Sequence, residues 1–174
     1  VVIVGAGGSG IALAANLEKL GVSYTILEKN GEVGGTWYEN TYPGCGVDTP
    51  NHAYSFSFGT RYQWSRYFAP RAELQDYLVR SSEEAGVRAN IRFYTRVVKA
   101  DWDEGAHCWR VLAEGPDGAK EIQAMAVVSA IGQLSMPSVP YLEGADTFDG
   151  PLFHSAKWPD GLDLAGKRVT IIGT

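Results

Sequence analysis

The chain opens on four consecutive apolar positions, Val1-Val2-Ile3-Val4, with no polar residue alternating among them. An unbroken β-branched run of that kind suits a parallel strand covered on both faces. After a Gly-rich turn, Ile11, Leu13, Ala14, Leu17 and Leu20 return at helical spacing, and Gly21 stands where such a helix stops. Tyr24 to Glu28 then reads as a second strand, completing a βαβ unit. Residues 31–69 lose this periodicity and are rich in Gly, Pro, Asn and aromatics, which predicts loops and short helical turns. Long loops in compact domains usually serve function. Leu74, Tyr77, Leu78 and Ala85 mark the apolar face of a helix over Arg71–Ala85, with Gly86 as its stop.

Further on, the runs 91–97, 98–103, 108–113 and 120–123 alternate with turn residues such as Asp117-Gly118, predicting a small β-meander over 98–123. Met125 to Ile131 is another apolar strand and ends at Gly132, while prolines and turn residues between Ser135 and Gly150 predict a linker. Lys167 to Ile172 reads as a last strand. The expected organisation is an α/β dinucleotide-binding domain over 1–134, with an excursion at 31–85 and the meander at 98–123. A linker over 135–166 follows, and then 167–174 as the first strand of a second, truncated domain.

Composition narrows the function. A chain of 174 residues, 45% hydrophobic, buries the core of one ordinary domain. Its net charge of −5 offers no electrostatic footprint for nucleic acid or an anionic membrane, which leaves a small-molecule ligand. Arg61 to Phe68 interleaves basic and aromatic residues as a single-stranded nucleic acid platform does, but in an acidic chain it reads as loop packing. Cys45 and Cys108 form no CxxC pair, and His52 and His107 have no partner at ligand spacing, so neither a metal site nor a redox dithiol is expected. Two reduced thiols, no secretory leader and no apolar run of about 20 residues predict a soluble, cytoplasmic protein with no membrane segment. Trp102 and Trp109 read as the apolar face of the meander.

Candidate chemistry begins at the first turn. Gly5, Gly7 and Gly10 make a GxGxxG between a buried strand and a helix, where the spacing serves a tight turn, close approach of backbone to a pyrophosphate, and helix-to-strand packing. Helix N-terminal amides, with Ser9 nearby, then face the phosphate charge. Glu28 closes the second strand 18 residues after Gly10, where a carboxylate accepts from adenosine ribose hydroxyls and disfavours a 2′-phosphate. The ligand predicted here is FAD or NAD, and not NADP.

Two further stretches favour FAD. Glu28-Lys29-Asn30-Gly31-Glu32-Val33-Gly34-Gly35-Thr36-Trp37 resembles the second glycine pair of two-dinucleotide flavoproteins, and Val127 to Gly132 resembles the strand-to-Gly motif that ends their FAD domain. Gly35, Trp37, Tyr42-Pro43-Gly44 and Asp48 are similar to the GxWxxxxYPGxxxD pattern of Baeyer–Villiger monooxygenases. Phe148, Gly150, His154, Trp158 and Pro159 resemble that family's FxGxxxHxxxWP fingerprint. The run Tyr42 to His52 looks most similar to the hydroxyacetophenone monooxygenase branch. One departure stands out, because many members carry Arg where this chain has Gly46.

The resemblance implies a Rossmann-like FAD domain joined by the linker to an NADP domain, with NADPH bound mainly by the latter. It implies a C4a-peroxyflavin, formed with O2, that attacks a ketone and yields an ester or lactone. Residues implied at the flavin are Gly5, Gly7, Ser9, Gly10, Glu28, Gly35, Thr36, Trp37, Tyr38, Asp48, Tyr54, Val97 and Gly132. Asp48 is the catalytic candidate, orienting an Arg supplied from beyond Thr174, and His154 reads as a hinge residue. Two other readings stay open: an N- or S-oxygenating flavin monooxygenase, which shares the glycine motifs, and a flavin-binding module without turnover. No cysteine pair follows Gly34-Gly35, which argues against a disulfide reductase.

Overall fold

The computed structural model describes residues 1–58 and 62–173. Its first layer is a parallel sheet of β1 (Val2–Val4), β2 (Thr25–Leu27), β3 (Ile91–Arg92) and β7 (Val127–Ser129), in the order β3-β2-β1-β7. The apolar run at the start of the chain is needed because β1 is central and covered twice. Ile3 faces the helices, in a core with Ile11, Ala14, Ile26 and Leu74. Val2 faces the other way, into a second cluster with Leu27, Val111 and Ala113. Burial of each large aliphatic side chain contributes about 1.5–3 kcal/mol, so both faces of this short strand are strongly specified.

Helices α1 (Gly8–Lys19) and α3 (Arg71–Glu84) lie against the first face, close to their predicted spans. Between them, the described residues of the excursion contain one short helix, α2 (Thr36–Glu39). Several of the excursion's aromatics turn inward: Tyr62 and Trp64 pack on Tyr77 of α3 at centroid distances of 5.2 and 4.8 Å, and Phe56 stacks on Phe58, while Tyr67 and Phe68 stay exposed. Burial, and then the Asp76 carboxylate to which its hydroxyl donates at 2.7 Å, push Tyr62 far above the usual phenol range. The loop-packing reading of 61–68 therefore holds for Tyr62 and Trp64, while Arg61 lies outside the described residues.

The second face carries an antiparallel meander, β4 (Arg96–Asp103), β5 (Cys108–Gly115) and β6 (Gly118–Ala124). Trp102 stands opposite Trp109, their rings edge to face at 5.7 Å, on the side turned to the second cluster.

One expectation is corrected. The strand expected over 91–97 is divided, its first two residues pairing with β2. Tyr94, at φ +51, turns the chain between them, and its amide donates to the Asn30 carbonyl at 3.0 Å. Residues 167–172, expected as the first strand of a further domain, pair with no strand among the described residues, and Ile171 is 85% exposed. A strand needs a neighbour for its backbone groups, and among the described residues none lies beside it; Thr174 lies outside them. No helix among the described residues is long and apolar enough to cross a membrane.

Candidate functional site

The first glycine turn is closed by contact with itself. A Cβ on Gly10 would lie 2.1 Å from the Gly5 carbonyl oxygen, so only glycine lets α1 start this close to the end of β1. Gly7 is the N-cap of α1, whose start has no side-chain cap and no acidic residue in its first turn. Unsatisfied N-terminal amides attract anions, and no side chain of this helix start takes that place. Ser9 is exposed beside them. The chain leaving β7 passes over the turn: the Ala130 amide donates to the Val4 carbonyl at 2.9 Å, and the Ala130 oxygen would lie 2.8 Å from a Cβ on Gly5. Gly132, at φ +78, follows two residues on.

Glu28 is only 3% exposed, and it binds the turn as well as closing the strand. Its Oε2 accepts from the Ala6 amide at 2.7 Å and its Oε1 from the Asn30 amide at 2.9 Å. A carboxylate has about four acceptor positions, so two stay available for ribose hydroxyls. The Thr95 amide donates to the Glu28 carbonyl at 2.8 Å, which starts β4, and with it Val97, beside the end of β2.

A second turn faces the first. Gly34 and Gly35 have φ of +127° and +52°, and a Cβ on Gly35 would come within 3.2 Å of the Gly7 Cα. The Gly34 amide donates to the Ala6 carbonyl at 3.0 Å. Two side-chain-free turns in direct apposition form a cradle that a single methyl would narrow, as the close passage of a pyrophosphate requires. In α2, exposed Thr36 leads into buried Trp37, whose Nε1 donates to the Tyr54 hydroxyl at 3.0 Å, the two rings standing at 84°. Tyr38 is partly buried behind it. Burial raises the Glu39 carboxyl, but donation from Asn30 and Lys29 outweighs it and the group lies below its ordinary value.

Asp48 is exposed, with the Thr49 hydroxyl donating to it at 3.3 Å. Its loop is held from both sides: the Val47 amide donates to the Ala69 carbonyl at 3.0 Å, and the Arg71 amide to the Cys45 carbonyl at 2.8 Å. Gly46 lies against that bridge, where a Cβ would sit 3.0 Å from the Ala69 oxygen. Fully buried Asn51 closes the loop, donating from Nδ2 to the Arg66 carbonyl at 2.7 Å and accepting at Oδ1 from the Ala69 amide at 3.0 Å. In the linker, His154 caps the turn Ser155–Lys157 by accepting at Nδ1 from the Ala156 amide at 3.1 Å, and Trp158 meets Phe153 edge to face.

The sequence-derived candidates are only partly brought together. Gly5, Gly7, Gly10, Glu28 and Gly35 are joined by direct contacts. Trp37 and Tyr54 form a pair, and Asp48 and Val97 lie on separate segments. Arg71, Gln75 and Asn51 escaped the sequence reading although each fixes part of this framework. A Pro70-Arg71 helix start was the available signal, and it does not say which carbonyls the guanidinium reaches.

Residues 3–70 match a family model described as an NAD(P)-binding Rossmann-like domain. A Baeyer–Villiger monooxygenase from Streptomyces coelicolor is 42% identical over all of this chain and 33% of its own length. An uncharacterized monooxygenase from Sinorhizobium fredii is 41% identical over 99% of the chain and 26% of its own. The crystal structure of OTEMO in complex with FAD and NADP superposes with a TM-score of 0.91 at 36% identity, covering 99% of this chain and 34% of that one. An ε-caprolactone-bound cyclohexanone monooxygenase gives 0.90 at 36% identity, with the same coverage. The chain therefore spans about a third or less of the length of the relatives it matches.

Proposed function

We propose that the chain, which is similar throughout to about a third of the length of two Baeyer–Villiger monooxygenases and of a cyclohexanone monooxygenase, is the FAD-binding part of a flavin-dependent, NADPH-using monooxygenase that converts ketones to esters or lactones. The observation that carries this reading is the apposition of Gly7 and Gly35 beside an uncapped helix start, with Glu28 buried at the strand end. That set fits FAD: amides and bare glycines for the pyrophosphate, a carboxylate with free lone pairs for the ribose. OTEMO, at 36% identity, was solved with FAD and NADP.

Bound flavin supplies the redox and oxygen chemistry. The residues of this chain hold and orient it. Gly5 to Gly10 and Gly34-Gly35 bracket the pyrophosphate, and Glu28 takes the ribose. Ser9, Thr36, Tyr38, Val97 and Gly132 border the cofactor, with Trp37 braced by Tyr54. By the family resemblance, Asp48 would stand towards the reacting end of a bound flavin and orient a cation there. NADPH binds mainly outside this chain.

The deciding experiment is the visible spectrum of the purified full-length protein, followed by NADPH consumption with aryl and cyclic ketones and product mass. Bound FAD and a product heavier by one oxygen are expected. Oxygenation confined to amines or sulfides would move the assignment to the heteroatom oxygenases, and absence of flavin would overturn it.

A further inference from the structure

We propose that Arg71 and Gln75, one turn apart on α3, form a clamp that positions the Gly34-Gly35 turn for the cofactor. This role rests on the flavin reading above. Arg71 donates from Nε to the Trp37 carbonyl and from its second terminal nitrogen to the Tyr38 carbonyl at 2.9 Å. Gln75 donates from Nε2 to the Val33 carbonyl at 2.7 Å. Their carbonyl partners therefore lie on both sides of the two glycines, one before them and two after. Residues at i and i+4 share a helix face, so one rigid element fixes both ends of a turn that has no side chains of its own to pack.

The Gln75 amide shows how this fixation is enforced. Its Oε1 is buried and has no hydrogen-bond partner among the described residues. A buried, unpaired oxygen is unfavourable and calls for an explanation. The explanation is steric and electrostatic. The oxygen lies over Gly34, 2.0 Å from where a Cβ would be. Reversing the amide would set its oxygen against the Val33 carbonyl, so donation to Val33 dictates the orientation and leaves Oε1 against bare Gly34. The side chain thus fills the space behind the turn and keeps Gly35 forward, against Gly7.

The test uses full-length apoprotein stripped of flavin and titrated with FAD, with binding followed by flavin fluorescence and thermal unfolding of the apoprotein measured in parallel. Gln75→Met, which keeps the length and removes the donor, is expected to weaken FAD binding about tenfold with little change in apoprotein melting. Arg71→Lys keeps the charge, cannot span two carbonyls as a planar fork does, and is expected to lose several-fold. Arg71→Ala is expected to regain affinity on addition of guanidinium at sub-denaturing concentration, and not with sodium. If Gln75→Met does not fold, Arg71→Lys and the guanidinium rescue decide. Wild-type affinity in both conservative variants, or melting that falls in step with affinity, overturns the clamp and leaves the flavin reading standing. Failure of the wild-type protein to bind FAD overturns that reading and the clamp together.

Discussion

Gly7 and Gly10 lie three residues apart in one turn, yet the structure gives alanine there opposite consequences. At Gly10 the new methyl would sit 2.1 Å from the Gly5 oxygen, more than 1 Å inside the 3.4 Å at which ordinary contact begins. Both partners are backbone, so no side chain can swing aside and α1 must move off β1. Overpacking costs about 1–3 kcal/mol, and rigid surroundings put this case near the upper end. For a chain of this size about 3 kcal/mol lowers Tm by roughly 6–12 °C. At Gly7 the methyl would find its nearest neighbour, the Gly35 Cα, at 3.7 Å. The apoprotein then loses only a favourable N-cap, about 1 kcal/mol or less. The methyl does, however, enter the gap between the two glycine turns. Steric cost of ~1–3 kcal/mol there weakens FAD binding roughly 5- to 150-fold. Thermal unfolding of both apoproteins and FAD titration separate the effects. Equal loss of stability in the two variants, or wild-type affinity in Gly7→Ala, would refute the division of labour between them.

Three other outcomes follow from the same geometry. Glu28→Gln replaces one acceptor of a backbone amide with a donor, so denaturant unfolding should show a loss of about 1–3 kcal/mol together with weaker FAD binding; undiminished stability would remove its tie to Ala6 and Asn30. Bidentate donation from Arg88 holds Glu32 below its ordinary value of 4.5, so the pair's stabilisation is present above that pH and is lost as pH falls through the depressed value. Glu32→Gln should lower Tm near neutrality and flatten its decline below pH 4.5, and an unchanged acid profile would count against the pair. Asp48→Ala in the full-length enzyme should slow ketone oxygenation more than it weakens FAD binding; an undiminished rate would remove its active-site role.

Much of this was legible in the residue pattern because β1, α1 and α3 are specified locally. Val1 to Val4 reads as a doubly covered strand, and the Ile11 and Leu74 faces keep helical period wherever they sit. The turn glycines were legible for a similar reason, since close backbone approach leaves only one residue type. Ile91-Arg92 was read as one strand with the residues up to Val97 because two residues carry too little period to name their neighbour, and the turn that detaches them is made by a tyrosine. The long-range polar contacts were beyond reach. Nothing near Gln75 shows that its amide meets a carbonyl 42 positions away, and nothing near Glu28 shows that its carboxylate turns back to Ala6.

Asn51 has a dynamic consequence. One buried amide ties the Arg66 carbonyl to the Ala69 amide, its backbone amide donates to the Tyr67 carbonyl at 3.1 Å, and its carbonyl accepts from Ser55. The bonds that meet at Asn51 cannot be released one at a time without exposing a buried polar side chain with nothing else to bond. The amides of Asn51, Tyr54 and Ala69 should therefore exchange with deuterium at one common rate, as a single opening unit. In that case the stretch from Asn51 to Ala69 opens and closes as a whole, and its lifetime is set at one buried amide side chain.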